Sequence, residues 1–199
     1  MIRHLLLDAD GVVQKLPGGW RAALEPYLGA RSEEFVTELA MDEQVCLRGE
    51  PFLPVLAKRL AGFGVAAPPS EVYAAAWERI SADPAVLALA DRLRAAGLGV
   101  HLATNQNPER AAYMRRELGY DARFDMQFYS SELGVAKPER GYFERILAAV
   151  GAVPEDVLFV DDSARNVAGA RETGLAAEQW HLDDGLPLLR DLLAGHGVG

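Results

Sequence analysis

Two aspartates two residues apart, Asp8 and Asp10, close the short apolar run His4–Leu7. Two further apolar runs end in a pair of adjacent polar residues. Thr104-Asn105 closes Leu98–Ala103, and Asp161-Asp162 closes Val157–Val160. A short apolar run ending abruptly in an acid reads as a buried strand with the polar group at its C-terminal end. In an open parallel sheet those ends line one crevice, where ligands bind. The three sets are therefore predicted to converge. Lys137, in the loop VAKPER, is the fourth member. It is one of three lysines against 17 arginines, and a lysine so placed suits a site that wants a compact point charge.

Four carboxylates would then face one ammonium. At about 4 Å and an effective dielectric near 20, each like-charged pair costs about 4 kcal/mol. Such a cluster calls for a divalent cation. Hard oxygen ligands without thiolates or neighbouring imidazoles favour Mg²⁺. The cation would also draw a phosphate into an acidic protein. Each residue alone has an ordinary alternative: Asp161-Asp162-Ser163 as a helix cap, Thr104-Asn105 as a turn, Lys137 as a solvated loop lysine. Their common placement at strand ends, in this order, is what points to a site.

The positioning elements follow from periodicity. Asp83-Pro84 starts a helix that stops at Gly97, Asn107-Pro108 starts another that stops at Gly119, and further helices stop at Gly151 and Gly174. Strands are predicted at Phe124–Tyr129 and Leu175–Trp180, and a last helix at Leu186–Leu193. Alternating strands and helices imply an α/β fold, a Rossmann-like parallel sheet with helices on both faces. Between Trp20 and Ala82 no strand is expected. Ser32 and Ser70 read as helix caps, and Phe52–Phe63 as a helix. The domain reading is a core of residues 1–13 and 86–199 interrupted by a small all-helical segment, 14–85, with short hinges suited to a moving lid.

The 199 residues suit one core with a small satellite, and half of them are hydrophobic. The net charge of −9 gives no electrostatic reason to bind nucleic acid or a membrane surface. The single cysteine, Cys46, forms no intrachain disulfide. The N-terminal stretch MIRHLLLDADGVV has no signal-peptide or membrane-span pattern, so a cytoplasmic location is the default. The oligomeric state, monomer or homodimer, is left open.

The set DADGVV, LATN, KP and FVDDS, from Asp8 to Asn166, resembles the four motifs of the haloacid dehalogenase superfamily. The resemblance implies a Rossmann-like core with a cap domain inserted after the first strand. Arg48-Gly49-Glu50 is similar to a cap sequence of a branch that includes sugar-phosphate phosphatases. It further implies Asp8 as nucleophile toward phosphorus and Asp10 as the acid and base, with a pKa nearer neutrality than the ordinary value of about 3.9. Thr104, the Asn105 amide and Lys137 would hold the phosphoryl group. Asp8, the Asp10 carbonyl, Asp162 and, through water, Asp161 would hold Mg²⁺, with Asn166 behind them. Among the residues of the helical segment, Arg48 reads either as reaching a second anionic group on the substrate or as a solvated arginine.

The implied activity is that of a Mg²⁺-dependent phosphatase acting on a small phosphate monoester, a sugar phosphate or nucleotide. A sugar phosphomutase shares every core motif. An acid at position 10 disfavours a dehalogenase, and the scarcity of cap lysines, Lys15 and Lys58 alone, disfavours a phosphonatase. A signalling receiver uses the same residue types in another chain order and has no place for the helical insertion. A degenerate, purely binding relative would lack a reacting group, and none is missing. Trp20, Trp77, Cys46 and His101 read as packing residues, and His181 and His196 are assigned no role.

Overall fold

The computed structural model describes residues 1–199. The chain begins with β1 (His4–Leu7) and β2 (Gln14–Lys15). Four helices follow, α1 (Gly19–Leu28), α2 (Ser32–Asp42), α3 (Phe52–Gly62) and α4 (Pro69–Trp77), and then β3 (Ser81–Ala82). Beyond β3 helices and strands alternate through α5 (Pro84–Ala95), β4 (Gly99–Thr104), α6 (Pro108–Glu117), α7 (Tyr120–Arg123), β5 (Met126–Tyr129) and α8 (Ser130–Leu133). The chain ends with α9 (Arg140–Val150), β6 (Val157–Asp161), α10 (Ala164–Glu172), β7 (Ala176–Gln179) and α11 (Leu186–Gly195).

The main sheet has the order β5-β4-β1-β6-β7, and every neighbouring pair is parallel. Successive residues of β1 face opposite sides. Leu5 and Leu7 pack with α5, α6 and α11 through Val86, Ala90, Met114 and Leu193. Leu6 packs with α9 and α10 through Tyr142, Phe143, Ile146 and Val167. The sheet is thus covered on both faces, and its strands read as near-continuous apolar runs for that reason. Leu7 lies opposite Leu102 of β4 and Val160 of β6. One residue further on, this register brings Asp8 level with Asp161. Because β1 has the chain's two later halves on either side, its C-terminal end is the switch point of the sheet.

Helices α1–α4 enclose a separate apolar cluster that includes Leu24, Phe35, Phe52, Leu56 and Trp77. Where the chain enters and leaves this layer, β2 and β3 pair antiparallel, Gln14 with Ala82 and Lys15 with Ser81. The second strand of that ribbon, β3, corrects the expectation of no strand between Trp20 and Ala82, since a two-residue strand carries no readable period. Helix α1 was not anticipated either. It starts at Gly18-Gly19 and contains Pro26, all of which argue against a helix in sequence. Ser32 and Ser70 do not cap. Ser32 Oγ donates instead to the Gly29 carbonyl at 2.7 Å, and Ser70 falls inside the first turn of α4.

Asp83 does cap α5, accepting from the Ala85 and Val86 amides at 2.9 Å, while its own amide donates to Val13. Asp83→Ala should cost about 1 kcal/mol of stability, read from urea denaturation, with no effect on the crevice. An unchanged midpoint would remove this cap from the account of how the chain re-enters the sheet. His101 is core, as expected. It is 4% exposed, its ring nitrogen lies 3.1 Å from that of His4, and burial pushes its pKa down to about 4. Cys46 is fully buried in the helical layer. No helix is long and apolar enough to cross a membrane.

Candidate active site

The ends of β1, β4 and β6 bring Asp8, Thr104 and Asp161 together, and Lys137 reaches them from the loop between α8 and α9. The ammonium of Lys137 is 2.8 Å from Asp8 Oδ1 and 2.6 Å from Asp161 Oδ2, and it donates to the Ala103 carbonyl at 2.9 Å. Three acceptors take its three protons. Asn105 fixes the loop that delivers it. Its side-chain oxygen accepts from the Lys137 amide at 2.9 Å, and its side-chain nitrogen donates to the Lys137 carbonyl at 3.0 Å. Gly169 of α10 sits so close to Pro138 that an added Cβ would lie 2.3 Å from the Pro138 carbonyl oxygen. Only glycine allows the helix to support the loop there.

Asp161 accepts from the Ser163 amide at 2.8 Å and from Asn166 Nδ2 at 3.0 Å, so Asn166 stands behind it. Asp162 is half-buried beside Gly11. At φ +79°, Gly11 lies where a Cβ would be 2.5 Å from Asp162 Oδ2. A side chain at position 11 would displace that carboxylate. Thr104 Oγ1 accepts from Gln106 Nε2 at 3.1 Å, which leaves the hydroxyl proton free to donate.

Asp10 is set differently from its expectation. Arg110 of α6 grips both of its oxygens, and Gln14 and Gln106 donate to one oxygen each, at 3.0 and 2.8 Å. Burial alone would raise this carboxyl. The Arg110 charge and hydrogen bonds, with the two glutamines, outweigh burial and hold it below the usual carboxylate range. The raised carboxyl is Asp8, pushed up to about 7 by burial and by Asp161, against the pull of Lys137. Burial and Asp161 raise Asp162 as well.

The crevice therefore has two cations. With Asp10 paired to Arg110, the carboxylates of Asp8, Asp161 and Asp162 face Lys137 alone. Their nearest oxygens lie within 4.8 Å of one another. An excess of two negative charges on closely grouped hard oxygens fits a divalent cation such as Mg²⁺, which would also return Asp8 to its ionised form.

The sequence-predicted residues Asp8, Asp10, Thr104, Asn105, Lys137, Asp161 and Asp162 all gather here. Arg48 does not. It forms an exposed ion pair with Glu139 at 2.7 Å, which occupies its charge. A cleft of about 450 Å³ opens from Asp10 and Asp162 past Lys15, Gly18 and Gly19, and Trp20 and His181 also line it. Trp77 packs in the helical layer as expected, whereas Trp20 packs against it with ring centres 4.9 Å apart and planes tilted by 49°, and lines the cleft. His196 pairs with Glu178 at 2.7 Å. Sequence reasoning missed Gln14, Gln106, Arg110 and His181. The signal for two of them was the spacing of Gln106 and Arg110, one turn apart at the start of the helix that follows Thr104-Asn105.

A parallel sheet covered on both faces, with an acidic, cation-competent crevice at its switch point, defines an α/β fold whose ligand site lies at the strand ends. The chain belongs to the haloacid dehalogenase-like hydrolases, the family whose model matches residues 2–174. It is 30% identical over 111 residues to the sesquiterpene phosphatase astK of Aspergillus oryzae, covering 55% of each chain. It is 33% identical over 85 residues to a phosphoserine phosphatase of Thermus thermophilus, 42% of this chain and 34% of that one. The chain spans between 12% and 55% of the curated relatives it matches. Its fold is that of a HAD-family enzyme of Bacteroides thetaiotaomicron solved with magnesium and inorganic phosphate. The TM-score is 0.80 at 20% identity, over 95% of this chain and 99% of that one.

Proposed function

We propose that this chain is a Mg²⁺-dependent phosphatase that hydrolyses a small, hydrophilic phosphate monoester, of the sugar phosphate or nucleotide class, through a phospho-aspartate on Asp8. The observation that carries the reading is the buried Lys137 ammonium bridging Asp8 and Asp161, beside a third carboxylate open to the cleft. Asp8, Asp162, the Asp10 carbonyl and, through water, Asp161 would hold the cation, which neutralises phosphoryl charge when bound. An Asp8 carboxylate oxygen bonds to phosphorus as the ester oxygen leaves with a proton from Asp10. Water then cleaves the acyl phosphate, giving its proton back to Asp10 and restoring Asp8. Lys137, the Thr104 hydroxyl and the Asn105 amide carry the charge of the transferred group. In phosphoryl transfer such positioning and charge neutralisation make up most of the catalysis.

Helices α1–α4, within residues 14–85, serve as a cap over the crevice, and the β2–β3 ribbon is its stalk. The relatives named for phosphatase activity support the reaction class. Lys15, His181 and Asp183, which line the cleft beside Asp10 and Asp162, support a hydrophilic leaving group. Phosphate release should be measured from p-nitrophenyl phosphate, glycerol phosphate, sugar phosphates, nucleotides and farnesyl phosphate, with Mg²⁺ and with EDTA. Release should require Mg²⁺, falling about 100-fold or more in EDTA, and hydrophilic esters should outrun the prenyl ester. A folded protein that releases phosphate from none of them would sink the reading. A preference for farnesyl phosphate would sink the substrate class alone.

A further inference from the structure

The donors around Asp10 leave it no free acceptor site. A carboxylate offers about four lone-pair sites on its two oxygens. Oδ1 accepts from Gln14 Nε2 at 3.0 Å and Arg110 Nη2 at 2.9 Å. Oδ2 accepts from Gln106 Nε2 at 2.8 Å and from Arg110 Nη1. A carboxylate so saturated neither gives a proton to a leaving oxygen nor takes one from water, the two acts that the proposed reaction asks of it.

Arg110 is the donor that spans both oxygens, and it is 3% exposed. The helical layer sets its position. Its Nε donates to the Trp77 carbonyl at the end of α4, at 2.9 Å, and its guanidinium lies 5.5 Å from the centre of the Trp20 ring. Gln106 Oε1, accepting from Nη1 at 3.0 Å, braces it from the core side. The rest of the first turn of α6 is bonded to the same layer. Asn107 Nδ2 donates to Glu43 at 3.0 Å, and the Glu109 carboxylate accepts from the Phe52 and Leu53 amides at the start of α3. The grip on Asp10 thus needs the helical layer seated.

The geometry points to Arg110 as a positioning residue, a latch set by the helical layer that keeps Asp10 out of proton transfer until a phosphate ester occupies the crevice. The inference rests on the phosphatase reading. The leaving oxygen of a bound ester is an acceptor, so Asp10 takes a proton from solvent as it parts from Arg110 and turns to that oxygen as a donor, while Arg110 keeps the Trp77 carbonyl and Gln106. Separating the pair draws on the binding energy of the substrate. The latch is therefore felt in KM, and the chemical step is untouched once Asp10 is free.

Two measurements test this. Structures of the wild-type protein alone and with Mg²⁺ and orthovanadate should show the Asp10–Arg110 pair intact in the first and parted in the second. A pair intact in both overturns the latch. In kinetics, Arg110→Gln should lower KM roughly three- to tenfold for both glycerol phosphate and p-nitrophenyl phosphate. The ratio of kcat between the two esters should stay within about twofold of wild type. An unchanged KM overturns the latch. So does a loss of kcat about tenfold greater on the alkyl ester, whose leaving oxygen needs a proton, because Arg110 would then be holding Asp10 in its working position. If Arg110→Gln does not fold, Arg110→Lys, which keeps the charge but cannot span both oxygens, is read the same way. Failure of the phosphatase reading shows separately, as wild-type protein that hydrolyses neither ester.

Discussion

Asp8→Asn should fold as the parent does and lose phosphatase activity by a factor on the order of 10⁵ or more in kcat. The amide keeps the shape of the side chain and its contact with the Ala9 amide, at 2.7 Å in the parent, but it has no ionised oxygen to attack phosphorus. It also fails to hold a divalent cation as a carboxylate does. Loss of stability cannot account for such a result. Asp8 is buried, its pKa is pushed up to about 7, and it adds to the negative charge around Asp161. A neutral amide removes that repulsion, so above pH 7 in EDTA the variant should resist urea at least as well as the parent. Phosphate release and urea midpoints, taken on the same preparations, check both halves. Activity that survives the substitution would mean that another group bonds to phosphorus. A variant much less stable than the parent would mean that Asp8 is structural.

The strand ends were legible because parallel strands buried on both faces leave little room for polar residues until the chain reaches the edge of the sheet. Asp8, Thr104 and Asp161 stand at those points, and register then brings Asp8 level with Asp161 and one residue short of Thr104. The Gly and Pro punctuation of α5, α6, α9 and α10 was legible for an equally local reason. What the sequence concealed was pairing at long range. Arg110 lies 100 residues from Asp10, and in PERAAYMRRE it looks like one of several solvated helix arginines. Without that partner, Asp10 was expected to carry the raised pKa. Burial and a neighbouring carboxylate raise Asp8 instead, while a guanidinium lowers Asp10. The directions of both shifts depend on which cation meets which acid, and only the packing of α6 against the helical layer decides that.

The role of Asn105 was legible only in part. Its place after Thr104 marked it, but its side chain is spent on clamping both ends of the Lys137 peptide group. Arg48 shows the opposite case. A motif fixes where an arginine lies in the chain but not which carboxylate it will find, and Glu139 is within reach.

Lys137→Met should be the most damaging single change in the crevice, for fold and activity together. Methionine fills much of the same volume, but it strands two buried carboxylates that now share one ammonium. Removing one partner of a buried, hydrogen-bonded ion pair costs about 3–5 kcal/mol. That cost should depend on pH. Asp8 already has a folded-state pKa of about 7, above its ordinary value of 3.8. A group raised on folding favours the native state below its unfolded pKa, and that advantage is lost as pH rises through the folded value. Without Lys137 the stranded carboxyl rises further. The variant should therefore be least stable relative to the parent above pH 7 and should recover as the solution is acidified toward pH 5. Urea titrations in EDTA at pH 5, 7 and 8 measure this, and a destabilisation that does not change with pH would put the loss in packing. Lys137→Arg should not restore activity. The pocket presents three acceptors to a single point, at 2.6 to 2.9 Å, and a planar guanidinium spreads its donors in a fork too wide to meet them. A Lys137→Arg protein with near-parent turnover would show that the crevice needs only a positive charge, and the three-acceptor geometry would lose its part in the mechanism.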